Sequence, residues 1–218
     1  MKHLLLCFCV VLFCASCSDS DILEDNFQNT IEFPEPNFFA LTVGNSWVYK
    51  NYHLNQETGE YDDTGVIDSI SIIGTEEHLG DTYFIVRRLT TGNESGISLC
   101  NENGEFFETR RESYGNLIDS TGFIKFASCD YNERLLHDCP WGTLHEITLW
   151  EKSTIEVEAG EFDCVLSNRY SKSPTGEQMK ALDLFYYAEG IGLVYNTISF
   201  ASSSTPTIIR RLDSYFIQ

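Results

Sequence analysis

The chain has 218 residues, room for one ordinary domain, and its 14 Lys and Arg against 33 Asp and Glu leave a formal charge of −19. A surface this acidic repels phosphate backbones at long range, which excludes nucleic acid as a partner and disfavours direct binding to anionic lipid headgroups. Hydrophobic residues at 42% and aromatics at 13% are too many for a disordered acidic chain, so a packed core is expected.

Met1-Lys2-His3 gives a basic start to the apolar run LLLCFCVVLFCAS, which is too short to span a bilayer and is flanked as a secretory signal is. The run closes with Cys14-Ala15-Ser16-Cys17, a junction that resembles the bacterial lipobox, although Cys14 stands where leucine is usual. The resemblance implies that residues 1–16 are removed and that Cys17 carries the acyl chains, palmitate among them, that reach into the membrane lipid. Several chains exceed the two-signal requirement for stable anchoring. Ser18-Asp19-Ser20-Asp21 follows directly, with Glu24 and Asp25 beyond. Such a run reads as a solvated spacer. It also resembles the export signal of Bacteroides lipoproteins, which implies an outer-membrane location and display on the cell surface. Residues 17–37 are then the lipidated cysteine and an acidic tether, stiffened by Pro34 and Pro36, and residues 38–218 form a single β-rich domain.

Within that domain strand signals dominate. SWVYKNY (46–52), VIDSISII (66–73), TYFIVRRL (82–89), GISLC (96–100) and EFFETRR (105–111) are short, alternating and rich in β-branched and aromatic residues. FIKFA (123–127), HEITLWEKSTIEVE (145–158), FDCVLSNRY (162–170), ALDLFYYA (181–188), GLVYNTISF (192–200) and TIIRRLDSYFI (207–217) share these features. Turn chemistry separates them at Asn103-Gly104, Asp119-Ser120-Thr121-Gly122, Ala159-Gly160-Glu161 and Thr175-Gly176-Glu177. Only YNERLLH (131–137) suits a helical turn. Tight turns exclude parallel crossovers, so the expected fold is all-β: an antiparallel meander of about ten strands with little helix. In 184–188, Phe185 and Tyr187 face one way while Leu184, Tyr186 and Ala188 face the other, so both faces are apolar. That pattern fits a sandwich or a rolled half-barrel better than an open sheet.

The opening FFALTVGNSWVYKNY, the pair VEAGEFDCVLSNRY and LFYYAEGIGLVYNTI, and the final RRLDSYFI resemble a TapB-like family of exported, strand-rich bacterial lipoproteins. The resemblance implies a β-rich domain and names no catalytic residue. Bacteria of the group to which the export signal points also attach O-glycans to Ser or Thr after Asp, which makes Ser120 and Ser69 candidate acceptors, Ser120 foremost because it falls in a turn.

Four cysteines besides Cys17 remain in the processed chain. An even number in an exported protein reads as two disulfides, Cys129 with Cys139 and Cys100 with Cys164, or as buried free thiols. His137, Cys139 and His145 lack the repeat of a zinc finger, so no metal or other cofactor is expected. The segment Gly92–Gly96 is no nucleophile elbow, and His53 and His78 have no evident Ser or Cys partner. The chain therefore reads as no enzyme, with a hydrolase the least favoured class. Three pairs, Arg87-Arg88, Arg110-Arg111 and Arg210-Arg211, each put one arginine on the apolar face of a strand. From these, Arg87 and Arg210, with Trp47 and Trp150, form the expected ligand site; the rival view makes them rim and core residues. The combined expectation is a non-catalytic binding or structural module partnered by carbohydrate or another envelope protein. The alternative is a carrier that holds an amphipathic or lipid ligand in its curved sheet.

Overall fold

Twelve strands, every adjacent pair antiparallel, form one sheet in a computed structural model that describes Phe33 and residues 37–218. The expectations for the signal peptide, Cys17 and most of the tether concern residues outside this range. The strands are β1 (Ser46–Leu54), β2 (Tyr61–His78), β3 (Asp81–Thr91), β4 (Gly104–Ser113), β5 (Asn116–Ile118) and β6 (Ile124–Ala127). The second set is β7 (Arg134–Cys139), β8 (Gly142–Val157), β9 (Gly160–Lys172), β10 (Gln178–Ala188), β11 (Gly192–Ile198) and β12 (Ile208–Phe216).

Across the sheet the order is β6-β5-β4-β3-β2-β1-β12-β11-β10-β9-β8-β7. Each half of the chain is thus a meander of six strands, and the halves join where β1 pairs with β12 from Ser46↔Phe216 to His53↔Ile208. Close turns between neighbours demand glycine at two places. A Cβ on Gly92 would lie 2.1 Å from the Gly65 carbonyl oxygen, and one on Gly142 would lie 2.1 Å from that of Lys172. Both residues also hold positive φ, which a side chain disfavours.

The period-2 pleat decides the inner face. In β1, Trp47, Tyr49 and Asn51 are buried and alternate with half-buried Val48 and Lys50, since β-strands with one apolar stripe roll that stripe inward. Rolling brings the end strand β6 round onto β8 and β9. Thr148 Oγ1 of β8 donates to the Ala127 carbonyl at the end of β6 (2.9 Å), and Arg169 Nη2 of β9 donates to the Lys125 carbonyl (2.6 Å). Side chains, not a backbone ladder, therefore close the sheet into a barrel-like roll. The segment 37–41 fills one part of the interior. Phe38, Phe39 and Ala40 are buried, and Gly190 N donates to the Phe38 carbonyl at 2.7 Å. Phe39 meets Phe126 and Tyr187 edge-on, and Phe126 stacks on Tyr187 with centroids 3.8 Å apart.

The expected all-β antiparallel meander of about ten strands is met by twelve, and of the sandwich and the rolled form the sheet takes the rolled one. Two expectations are corrected. GISLC is no strand: Asn93 Oδ1 accepts from Ile97 N at 2.6 Å and Asn93 Nδ2 donates to the Asn101 carbonyl at 2.9 Å, which curls the segment into a loop. YNERLLH holds no helical turn, because its second half pairs with β8 as strand β7. No α-helix occurs among the described residues.

Candidate functional site

The inward residues enclose a cavity of about 220 Å³ that opens to solvent. Phe39, Trp47, Ile72, Val86, Leu117 and Phe185 supply apolar wall. Four cationic side chains, Arg110, Arg169, Arg210 and Lys125, share that lining with one carboxylate, Glu108. In a chain with more than twice as many acids as bases, this local excess of positive charge runs against composition.

Two fully buried carboxylates behind the lining hold two of these arginines. Asp68 of β2 pairs with Arg210 Nη2 at 3.0 Å and accepts hydrogen bonds from Thr90 Oγ1 (2.5 Å), Asn101 Nδ2 (2.9 Å) and Asn51 Nδ2 (3.1 Å). Burial pushes the Asp68 carboxyl up, but Arg210 and these donors together outweigh it and hold the group below the ordinary carboxylate range. Glu146 of β8 accepts from Arg169 Nε at 2.8 Å and also from Arg134 of β7. The Arg169 guanidinium lies over the Phe185 ring, 3.9 Å from its centroid, a geometry that fixes the plane it offers the cavity.

Arg110 stands between these two networks. Its charge acts on the Tyr49 hydroxyl together with that of Arg210, and on the Tyr187 hydroxyl together with that of Arg169. Both phenols are raised by burial above their ordinary range, so both remain neutral donors in water at physiological pH. Tyr49 donates to the Leu193 carbonyl at 2.7 Å. Arg110 pairs with Glu108, two residues away on the same face of β4, and Lys125 approaches Glu108 at 3.5 Å and Asp119 at 3.4 Å. Burial raises Glu108, but Arg110 first and Lys125 next bring it below its usual value. Arg110 Nε is buried with no acceptor.

Of the expected ligand residues, Arg210 and Trp47 reach this cavity. Trp47 is 6% exposed and its Nε1 donates to the Ile191 carbonyl at 2.9 Å. Arg87 and Trp150 do not. Arg87 has the opposite pleat parity from inward Val86 and pairs with Glu105 on the outer face. Trp150 sits where the β8/β9 register breaks between Thr148 and Lys152, and the bulge turns it outward to 75% exposure, edge-on against Tyr131. Arg169, Lys125 and Glu108 are site residues that sequence reasoning missed, and Arg110 belongs to one of the three arginine pairs it singled out but was not placed in the ligand site.

Cys100, Cys129, Cys139 and Cys164 are free thiols in the structure, so neither expected bridge is formed in it. Cys100 neighbours the Asp68 and Arg210 charges, whereas Cys164 is packed in the apolar core, where burial pushes its thiol up to about 12. His145 is engaged by Thr143 and Glu133 and stacks on Tyr170; among the described residues no cluster of three metal-ligating side chains occurs. Ser69 lies in β2 with ladder partners Val48 and Leu89 on its two sides. Ser120 lies in a turn closed by Gly122 N donating to the Asp119 carbonyl at 2.9 Å.

No protein-family profile and no curated protein matches the chain, so the TapB-like resemblance stands on its sequence motifs alone. Two solved structures are similar in shape. One, from Bacteroides fragilis, is named as an exported protein with a YmcC-like fold; it is 13% identical, with a TM-score of 0.49, over 82% of this chain and 98% of its own. The other, from Parabacteroides distasonis, is named as a lipoprotein; it is 16% identical, with a TM-score of 0.44, over the same shares of 82% and 98%. Likeness at this level says nothing of what this chain binds or does.

Proposed function

We propose that this chain is an exported, lipid-anchored and non-catalytic binding protein that holds a small organic anion inside its rolled sheet. The observation that carries the reading is the convergence of Arg110, Arg169, Arg210 and Lys125 on one partly apolar cavity in a strongly acidic chain. Guanidinium groups held in place by buried carboxylates are preorganised for a carboxylate or phosphate, which they engage through paired N–H donors. Catalysis is disfavoured because the shifted groups here move away from neutrality: Glu108 down, Tyr49 and Tyr187 up. A carrier of long acyl chains is disfavoured by size, since a cavity of about 220 Å³ is only half again as large as the one of about 150 Å³ that holds benzene.

Two measurements test the reading. Native mass spectrometry of the chain purified from a producing cell should show a bound organic anion that Arg110→Gln abolishes. An identical ligand load in both proteins overturns the cavity as the site. Labelled palmitate should enter wild type and not Cys17→Ala, and equal incorporation removes the anchor. Display at the outer face of the outer membrane rests on the Ser-Asp run, and protease added to intact cells should cut the protein there.

Outside the roll, Trp150 against Tyr131 offers a stacking surface suited to carbohydrate or an envelope protein. Loss of polysaccharide binding in Trp150→Ala would support it, and unchanged binding would remove it. O-glycan attachment, if it occurs, is expected at Ser120 before Ser69, whose strand is paired on both sides; an intact mass unchanged by Ser120→Ala refutes that order.

A further inference from the structure

The cavity's size, walls and charge restrict its occupant further. An engineered cavity of about 150 Å³ holds benzene, so by proportion one of this volume holds about nine non-hydrogen atoms, a ring with a short substituent. Five aromatic side chains, Phe39, Trp47, Tyr49, Phe185 and Tyr187, contribute to the lining beside seven aliphatic ones. Flat rings in a cage of rings gain offset and edge contacts beyond their buried area.

Charge sets the head group. Asp68 balances Arg210, and Glu108 with Asp119 balances Arg110 and Lys125. Glu146 pairs with two guanidiniums, Arg134 and Arg169, which leaves a net surplus of one positive charge. Asp183 acts on Arg169 at longer range but takes its hydrogen bonds from Thr197 and Ser199. One negative charge fits this balance better than two. Of the four cations that line the cavity, Arg110 has a buried donor, Nε, without an acceptor.

Resting on the binding reading above, we infer that the ligand is a small aromatic monocarboxylic acid, its ring in the aromatic cage and its carboxylate on Arg110. Arg110 is also the informative position to change. Its counter-ion Glu108 is partly exposed, whereas removing Arg210 takes from buried Asp68 its one cation and removing Arg169 takes one of two from buried Glu146, each at a cost to the fold.

Calorimetric titration of the full chain with benzoate, octanoate, benzyl alcohol and inorganic phosphate tests the inference, with thermal melting of each variant alongside. Benzoate should bind at least tenfold more tightly than the other three. Arg110→Gln should weaken benzoate at least tenfold, and Glu108→Gln, which removes the cavity's own carboxylate, should tighten it severalfold. The opposed signs separate a binding effect from general damage to the fold. If octanoate or phosphate binds more tightly than benzoate and responds to both variants, the aromatic class is wrong and the anion site stands. If no anion responds to either variant, the anion site falls with it.

Discussion

Asp68 and Glu146 do the same task in the two halves of the sheet by different chemistry. Each is without exposed side-chain surface and each holds one arginine at the cavity. Asp68 is surrounded by neutral donors, Thr90, Asn101 and Asn51, and meets one cation. Glu146 meets two cations, Arg134 and Arg169. The first arrangement satisfies a buried carboxylate and leaves its surroundings neutral. The second holds two guanidiniums on one carboxylate, a surplus of one positive charge beside the cavity.

The largest test of this contrast is Glu146→Gln, which leaves two guanidiniums against a neutral amide and should cost about 3–5 kcal/mol in urea denaturation. Asp68→Asn should cost less, roughly 1.5–3 kcal/mol, because hydroxyl and amide donors can turn to a neutral partner. Equal losses would erase the distinction. Thr90→Val removes the 2.5 Å bond to Asp68 and should cost about 1–2 kcal/mol.

The pH dependence sharpens the contrast by sign. Asp68 is lowered in the folded state, so it contributes stability above about pH 4 that is lost as pH falls through its folded value. Asp183 is raised by burial against the hydrogen bonds from Ser199 and Thr197, so its contribution is present below the ordinary Asp value and lost as pH rises from there through its raised folded value. Asp68→Asn should flatten the acid limb of a stability profile, and Asp183→Asn should steepen the rise of stability with pH over that interval. The smallest effect is expected at Arg87→Gln, within about 0.5 kcal/mol, since its ion pair with Glu105 is solvated.

Most of the fold was legible because alternation and turn residues are local properties. Trp47 and Arg210 could be assigned inward from their strand neighbours alone. The same rule does not decide in FIVRRL, where Arg87 alternates with apolar Ile85 and Leu89 and Arg88 with apolar Phe84 and Val86; only the burial of Val86 and Thr90 shows which face is inward. Arg169 was not legible in this way: its partner Glu146 lies in the next strand, and only the register Glu146↔Arg169 makes them neighbours. The bulge that expels Trp150 likewise depends on pairing, not on the residues at 149–151 themselves. At GISLC the side chain of Asn93 competed with strand formation for backbone donors, a contest that propensity does not record.

The pairing of β1 with β12 has a consequence for synthesis. A ribosome delivers β1 first and β12 well after it, so β1 has β2 on one side and open backbone groups on the other until β12 has been made. Gln218 N then donates to Asn45 Oδ1 at 3.0 Å, while Asn45 Nδ2 donates to the Ala40 carbonyl at 2.8 Å, so Gln218 and the buried stretch Phe38–Leu41 are tied through one side chain. Loss of the final eleven residues would remove β12 and turn both β1 and β11 into unprotected edges, ready to recruit a strand from another chain.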